Sequence, residues 1–199
     1  MKKAILSAAI MLASVGAYAQ HAVGSITLQP KVGINTANVT DAKDTDPRVG
    51  LAAGLEAEYQ VTDLLSLSAG AIYSQQGYKK DWSDRSTDYS TTGKLDYINV
   101  PILANVYVTK GLAVKLGLQP GFKVSSKYDR KVTVAGHTIK TSGDIDAKSV
   151  DFSIPVGVSY EYANFQLDAR YNWGLTKIAK GSDDKNSVIQ ITLGYKFAL

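Results

Sequence analysis

Along residues 165–175 apolar and polar side chains alternate without a break: Phe165, Leu167, Ala169, Tyr171, Trp173 and Leu175 against Gln166, Asp168, Arg170, Asn172 and Gly174. A repeat of two residues is that of a β-strand, so this segment has one oily face and one charged face. The end of the chain does the same, with Ile189, Ile191, Leu193, Tyr195, Phe197 and Leu199 set against Gln190, Thr192, Gly194 and Lys196. Eight segments carry this pattern or are rich in strand-forming residues, at approximately 25–35, 49–60, 64–76, 94–108, 112–126, 149–161, 164–176 and 187–198. No stretch keeps a helical period, and glycines scattered among β-branched and aromatic residues suit turns and crowded sheet interiors. The chain reads as all-β.

The connections sort by length. Residues 61–63, 109–111 and 162–163 are short turns, and between them fall the long polar stretches 36–48, 77–93, 127–148 and 177–186. Outer-membrane barrels pair short periplasmic turns with long extracellular loops and an even strand number, whereas a Greek-key sandwich has no reason to alternate connection lengths. The expected fold is an eight-stranded antiparallel up-and-down transmembrane β-barrel in the bacterial outer membrane, with both termini periplasmic and four long loops outside the cell.

Placing the apolar parity outward gives lipid-facing sets such as Leu51, Ala53, Leu55, Ala57 and Tyr59, or Val114, Leu116, Leu118, Phe122 and Val124. The opposite parity collects Lys31, Glu56, Glu58, Lys115, Lys123, Asp151, Glu161, Asp168, Arg170 and Lys196, balanced in sign. A lipocalin would show the reverse, with an apolar lumen and a polar exterior. Eight strands leave an interior only wide enough for side chains, and charges shut away from water must pair there. The lumen is therefore expected to be a salt-bridged plug.

Composition adds the setting. Lys2 and Lys3, an apolar run and Ala17-Tyr18-Ala19 read as a secretory signal over 1–19, leaving 20–199 as one barrel domain. The chain has no cysteine, so an exported protein here must rely on sheet closure and packing. Interspersed charges give no nucleic-acid footprint. No mature segment has the length of apolar residues that a membrane helix needs, which leaves barrel strands open because their hydropathy averages out. Pro101, Pro120 and Pro155 fall inside expected strands at similar heights, which suggests a belt of bulges and would account for the apparent parity change between Leu95 or Tyr97 and Ile98.

Candidate chemistry is sparse. His21 falls at the expected disordered start of the mature chain. His137 lies in residues 132–139, which read as a hairpin tip; with a nearby serine it would be the residue a lipid-modifying enzyme needs, but no nucleophile motif or orienting carboxylate accompanies it. Asp41, Asp44 and Asp46 lack the spacing and glycine of a calcium loop, and no metal or other cofactor is expected. Trp82, Arg85 and Tyr89, with Tyr78 below them, are the residue types enriched at contact surfaces, though Tyr78 also suits a membrane-interface girdle.

The stretch Tyr97-Ile98-Asn99-Val100-Pro101-Ile102-Leu103, with Lys110-Gly111 and Gly117-Leu118-Gln119-Pro120-Gly121 after it, resembles the PorT-like outer-membrane β-barrel family of Bacteroidetes. Residues 152–161 and Ala169-Arg170-Tyr171-Asn172-Trp173-Gly174-Leu175 are similar to its later strands. The resemblance implies an eight-stranded barrel whose signal peptide and last strand serve export and assembly. The family's usual aromatic ending is departed from, since Ala198 and Leu199 follow Phe197. The functional expectation is a monomeric, non-enzymatic barrel in contact with outer-membrane lipid and lipopolysaccharide. Its loops, through Trp82, Arg85, Tyr89 and His137, are expected to touch an extracellular protein or surface. The hairpin of the third loop would extend the fifth and sixth strands above the membrane and offer a sheet edge. A narrow porin and an outer-leaflet lipid enzyme are the alternatives.

Overall fold

The computed structural model describes residues 21–40, 45–84, 87–134, 137–179, 181 and 183–199. The expected signal segment, Asp41, Asp44 and Arg85 lie outside these residues. The described chain forms β1 (Ile26–Val39), β2 (Asp46–Gln60), β3 (Leu65–Asp84), β4 (Thr87–Asn99), β5 (Ile102–Thr109), β6 (Leu112–Val134), β7 (His137–Asp144), β8 (Val150–Tyr162), β9 (Phe165–Lys177), β10 (Lys185–Tyr195) and β11 (Phe197–Ala198). All pairings are antiparallel, and β1 pairs with β10 to close the ring. The ring has eight staves. β4 and β5 are one stave, because Asn99↔Gly121 and Ile102↔Leu118 keep the same register. β10 and β11 are another, running together along β1.

Every stave presents its apolar parity outward, as Val114, Leu116 and Leu118 do on β6, with Leu116 55% exposed. Exposed aromatics border this belt at both heights: Tyr59, Tyr162, Phe165 and Phe197 near the short turns, and Phe122, Phe152 and Trp173 toward the long loops. From Phe165 to Trp173 is about 25 Å along the strand, somewhat less once tilted, which matches the height of an outer-membrane hydrocarbon belt. An exterior this apolar is a lipid-facing wall.

The expected proline bulges are absent. Register runs unshifted from Asn99↔Gly121 to Ile102↔Leu118 around Pro101, and from Leu116↔Val156 to Gln119↔Ser153 near Pro155. The prolines interrupt the ladder without inserting a residue, and carbonyls compensate: Gly70 donates its N–H to Pro101 at 3.1 Å and Val100 donates to Pro120 at 2.8 Å. Leu95 and Tyr97 share the inward parity of Asn99, so the apparent parity change is simply apolar residues facing the lumen.

A bulge does occur nearer the long-loop rim, where Tyr97 pairs with Lys123 but Asp96 pairs with Ser125, leaving Val124 extra. Above it, strands continue into what read as loops. β3, β4, β6 and β7 form a four-stranded sheet that projects beyond the wall, by about 25 Å measured along β6 from Lys127 to Val134. A single extra residue turns every later side chain of β6 to the opposite face. Tyr128 and Val132 therefore look over the lumen, although they share sequence parity with the lipid-facing Val124. Deleting Val124 is expected to turn Tyr128, Arg130 and Val132 outward and unpair the projecting sheet. Limited proteolysis should then cut within residues 127–134 while the barrel keeps its heat-modifiable migration; continued protection would show that the bulge does not set the faces.

Candidate functional site

Two regions hold the chemistry: the lumen and the projecting sheet. In the middle of the lumen the Arg170 guanidinium grips both oxygens of Asp168 at 2.6 and 2.8 Å and donates to Glu56 at 2.9 Å. Lys31 lies 3.2 Å from Glu56, and Lys115 lies 2.8 Å from Asp168 and donates to Gln166 at 3.0 Å. Nearer the short turns, Lys196 sits between Glu58 at 2.9 Å and Glu161 at 2.8 Å, while Ser66 donates to Glu58 at 2.6 Å and Tyr107 donates to the same carboxylate. These strands place charge inside because their apolar parity is committed to lipid. Glycine makes the room: Lys115 and Arg170 both pair across from Gly157, where a Cβ would come within 3.0 Å of Arg170 Cβ.

Eight of the ten charges expected inside thus join ion clusters, Arg170, Lys31 and Lys115 with Glu56 and Asp168 in one and Lys196 with Glu58 and Glu161 in the other. Lys123 and Asp151 do not. Lys123 donates to the Ala147 carbonyl, and Asp151 accepts from Thr176 at 2.6 Å, both close to the long-loop rim. His21 is not a free terminus: its Nε2 lies 3.1 Å from Glu161 at the short-turn rim. Tyr107 was also unforeseen, though its inward parity on β5 marks it.

Above the network the lumen is capped. Val39, Leu95, Tyr97, Ala147 and Ile178 pack together with Tyr78 and Ile145 against them, so segments from every long connection meet there. Backbone bonds tie the cap, with Lys148 donating to Ile178 at 2.7 Å and Thr40 to Lys185 at 2.9 Å.

On the projecting sheet, cross-strand pairing aligns Trp82, Tyr89, Val132 and Ile139 in one row on the face that continues the lumen wall. Trp82 and Tyr89 stack with ring centroids 4.9 Å apart and planes 4° from parallel. His137 ends the same face, across from Val134, and no serine or carboxylate among the described residues bonds to it. The opposite face is polar, with Lys79, Asp81, Ser90, Asp129, Lys131 and Lys140. There Lys94 donates to Asp129 at 2.5 Å, and this bond holds the Asp129 carboxyl below the usual carboxylate range. A depressed folded value means that the pair's contribution is present above the ordinary carboxylate range and lost as pH falls through the lowered one, a small effect at an exposed site.

Two outcomes follow. Arg170→Met removes the cation shared by Glu56 and Asp168 and is expected to lower stability by about 3–5 kcal/mol; urea unfolding in lipid vesicles, followed by tryptophan fluorescence, measures it. Lys94→Ala is expected to raise the Asp129 titration midpoint toward that of a free aspartate, read by carboxyl-carbon NMR, with no loss of the barrel.

The outer membrane protein beta-barrel domain family matches this chain over residues 18–180. No curated protein matches it. Among solved structures, Ail, the attachment invasion locus protein of Yersinia pestis, shares the fold with a TM-score of 0.53 at 16% identity, covering 88% of this chain and 100% of Ail. Ail in complex with the heparin analogue sucrose octasulfate gives 0.50 at 15% identity, over 88% and 100% of the two chains. Neisserial surface protein A gives 0.44 at 18% identity, over 86% and 97%. The match over most of its length makes this chain a member of the outer membrane protein beta-barrel domain family, whose place is the outer membrane.

Proposed function

We propose that the protein is a surface-interaction protein, a monomeric and non-enzymatic barrel that holds a rigid sheet outside the cell for contact with an extracellular partner. In this reading residues 1–19 are a cleaved signal and 20–199 one domain of PorT-like character, seated in lipid and lipopolysaccharide. The short-turn rim, where His21 and the last strand lie, is periplasmic. The observation that carries the reading is continuity: β3, β4 and β6 run from the wall into the projecting sheet, so that sheet is anchored by the membrane barrel itself. Trp82, Tyr89 and His137 share one of its faces, and among the described residues β7 pairs with β6 alone, leaving an edge for strand addition.

The alternatives draw less support. A porin needs a continuous water path, and here the charge network and the apolar cap lie one above the other in the lumen. A lipid-modifying enzyme needs His137 beside a nucleophile, and its cross-strand neighbour is Val134.

Deletion of residues 129–143 tests the reading. Cells carrying the shortened barrel are expected to keep it assembled in the outer membrane, scored by heat-modifiable migration, and to lose adherence to surfaces coated with matrix proteins or glycans. Unchanged adherence would overturn it. Purified protein in planar bilayers is expected to give no unitary conductance.

A further inference from the structure

The ligand class can be argued from the inner face of the projecting sheet, given the reading above that this sheet is the binding surface. Below the Trp82–Tyr89 row lie Lys80, Thr91 and Arg130 side by side on β3, β4 and β6, and below them Tyr78. Tyr78, Lys80, Trp82, Thr91 and Arg130 enclose a hollow of about 560 Å³, within the ~300–1,000 Å³ range of ordinary ligand pockets.

Three features of this hollow point to an anion carried on a flat, partly apolar body. Among the described residues the side chains of Lys80 and Arg130 have no ion pair or hydrogen bond; Arg48, Lys94 and Lys177 are paired with Asp96, Asp129 and Asp183, while Lys79, Lys131 and Lys140 on the opposite face are also unpaired, so what sets Lys80 and Arg130 apart is that both line one hollow. Two like charges on strands separated by one intervening strand, roughly 10 Å apart at the backbone, repel each other until an anion lies between them. Thr91, on that intervening strand, has its hydroxyl shut off from solvent without a hydrogen-bond partner among the described residues. Thr91 lines the hollow, so a small turn of its side chain would offer this hydroxyl to the same anion. Among the described residues Asp84 is the one carboxylate on the strands of this face and sits at its tip, a full turn of the pleat beyond Trp82, while Asp184 of the last long connection lies near Tyr78 at the foot of the hollow. Finally, Trp82 lines the hollow while Tyr89, stacked on one face of its indole, holds the ring in place, so its remaining apolar surface is a fixed wall for the C–H groups of a pyranose ring.

We propose that this hollow binds an anionic saccharide, with its sulfate, phosphate or carboxylate between Lys80 and Arg130 and accepting from the Thr91 hydroxyl, and its sugar ring against Trp82. Arg130 presents a planar fork suited to such oxyanions, and Lys80 a mobile point charge. The sugar has two possible sources, a glycan on a foreign surface or the phosphorylated core of the cell's own lipopolysaccharide. An acidic peptide would meet the cations but has no rigid ring for the aromatic wall.

The experiment is calorimetric titration of the full barrel in lipid nanodiscs with a heparin-derived hexasaccharide, with deacylated phosphorylated lipopolysaccharide core, with neutral maltohexaose and with a hexaglutamate peptide. At least one of the two anionic saccharides is expected to bind saturably, and more weakly as salt rises. The first binding alone identifies a foreign glycan, the second alone the cell's own core. Lys80→Ala and Arg130→Ala are each expected to weaken binding about tenfold or more, and Trp82→Ala to weaken it as well. Lys131→Ala with Lys140→Ala, which removes equal charge from the opposite face, is expected to leave it unchanged. Absence of binding by both anionic saccharides overturns the proposal, as does equal binding of maltohexaose or hexaglutamate, or an equal loss in the opposite-face variant. If the 129–143 deletion abolishes adherence while Lys80→Ala, Arg130→Ala and Trp82→Ala leave it intact, the surface-interaction reading stands and the saccharide fails.

Discussion

The grip of Arg170 on Asp168 and Glu56 is the interaction on which the barrel depends. A closed ring of eight staves encloses too little space for bulk water, so each ion placed inside loses its hydration and must recover it from neighbours. Arg170 is suited to this because its planar guanidinium serves two carboxylates at once, at 2.6 to 2.9 Å. Lys31 and Lys115 then complete the two carboxylates from other staves. The bonds tie β9 to β2, β1 and β6 across the lumen, so the cluster fixes the ring's cross-section. Charge and side chains fill the middle, and the surface-interaction proposal accordingly puts function at the rim.

At that rim the polarity of the sheet inverts. Within the membrane the outer face must be apolar and the inner face polar; above it, water lies on both sides and neither demand holds. The protein changes over at the bulge at Val124, with the apolar cap of Leu95, Tyr97 and Ile178 marking the same height inside. Apolar and aromatic residues of the projecting sheet thus collect over the closed lumen, and the polar face looks away from it. The cap gives the inner face a floor. A surface walled by Trp82 and Tyr89 and floored by packed side chains is one that a ligand can approach from the long-loop side only.

Most of the wall was legible in the sequence because burial in lipid enforces strict alternation, and the short-turn ends of the strands fall within a residue or two of their expected places. Residues 77–93 and 127–148 misled for the same physical reason: a sheet wet on both faces has no apolar period to show, so the outer half of β4 read as a polar loop and only the hairpin tip at 132–139 marked β6 and β7 there. The prolines misled differently. Proline removes one donor, which a sheet can leave unpaired at a local interruption, and nothing in the sequence distinguishes that from an inserted residue. The interior charges were legible as a set, because their parity is fixed, but pairing depends on height in the barrel; Lys123 and Asp151 have the right parity and the wrong height. His21 escaped because a contact with Glu161, 140 residues away, leaves no local pattern.

The same continuity that hid the projecting sheet explains how it can be selective. A flexible loop pays conformational entropy when it orders around a ligand, about 1–2 kcal/mol per residue fixed. β3 and β6 are already ordered, since each is a single strand from the membrane wall to the sheet, and β4 is hydrogen-bonded to both. Lys80, Thr91 and Arg130 are therefore held at fixed spacing by the pleat rather than assembled on demand. Spacing set by a sheet discriminates among anions by where their charges sit. Rigidity below the rim, secured by Arg170 and its carboxylates, is what makes that discrimination available above it.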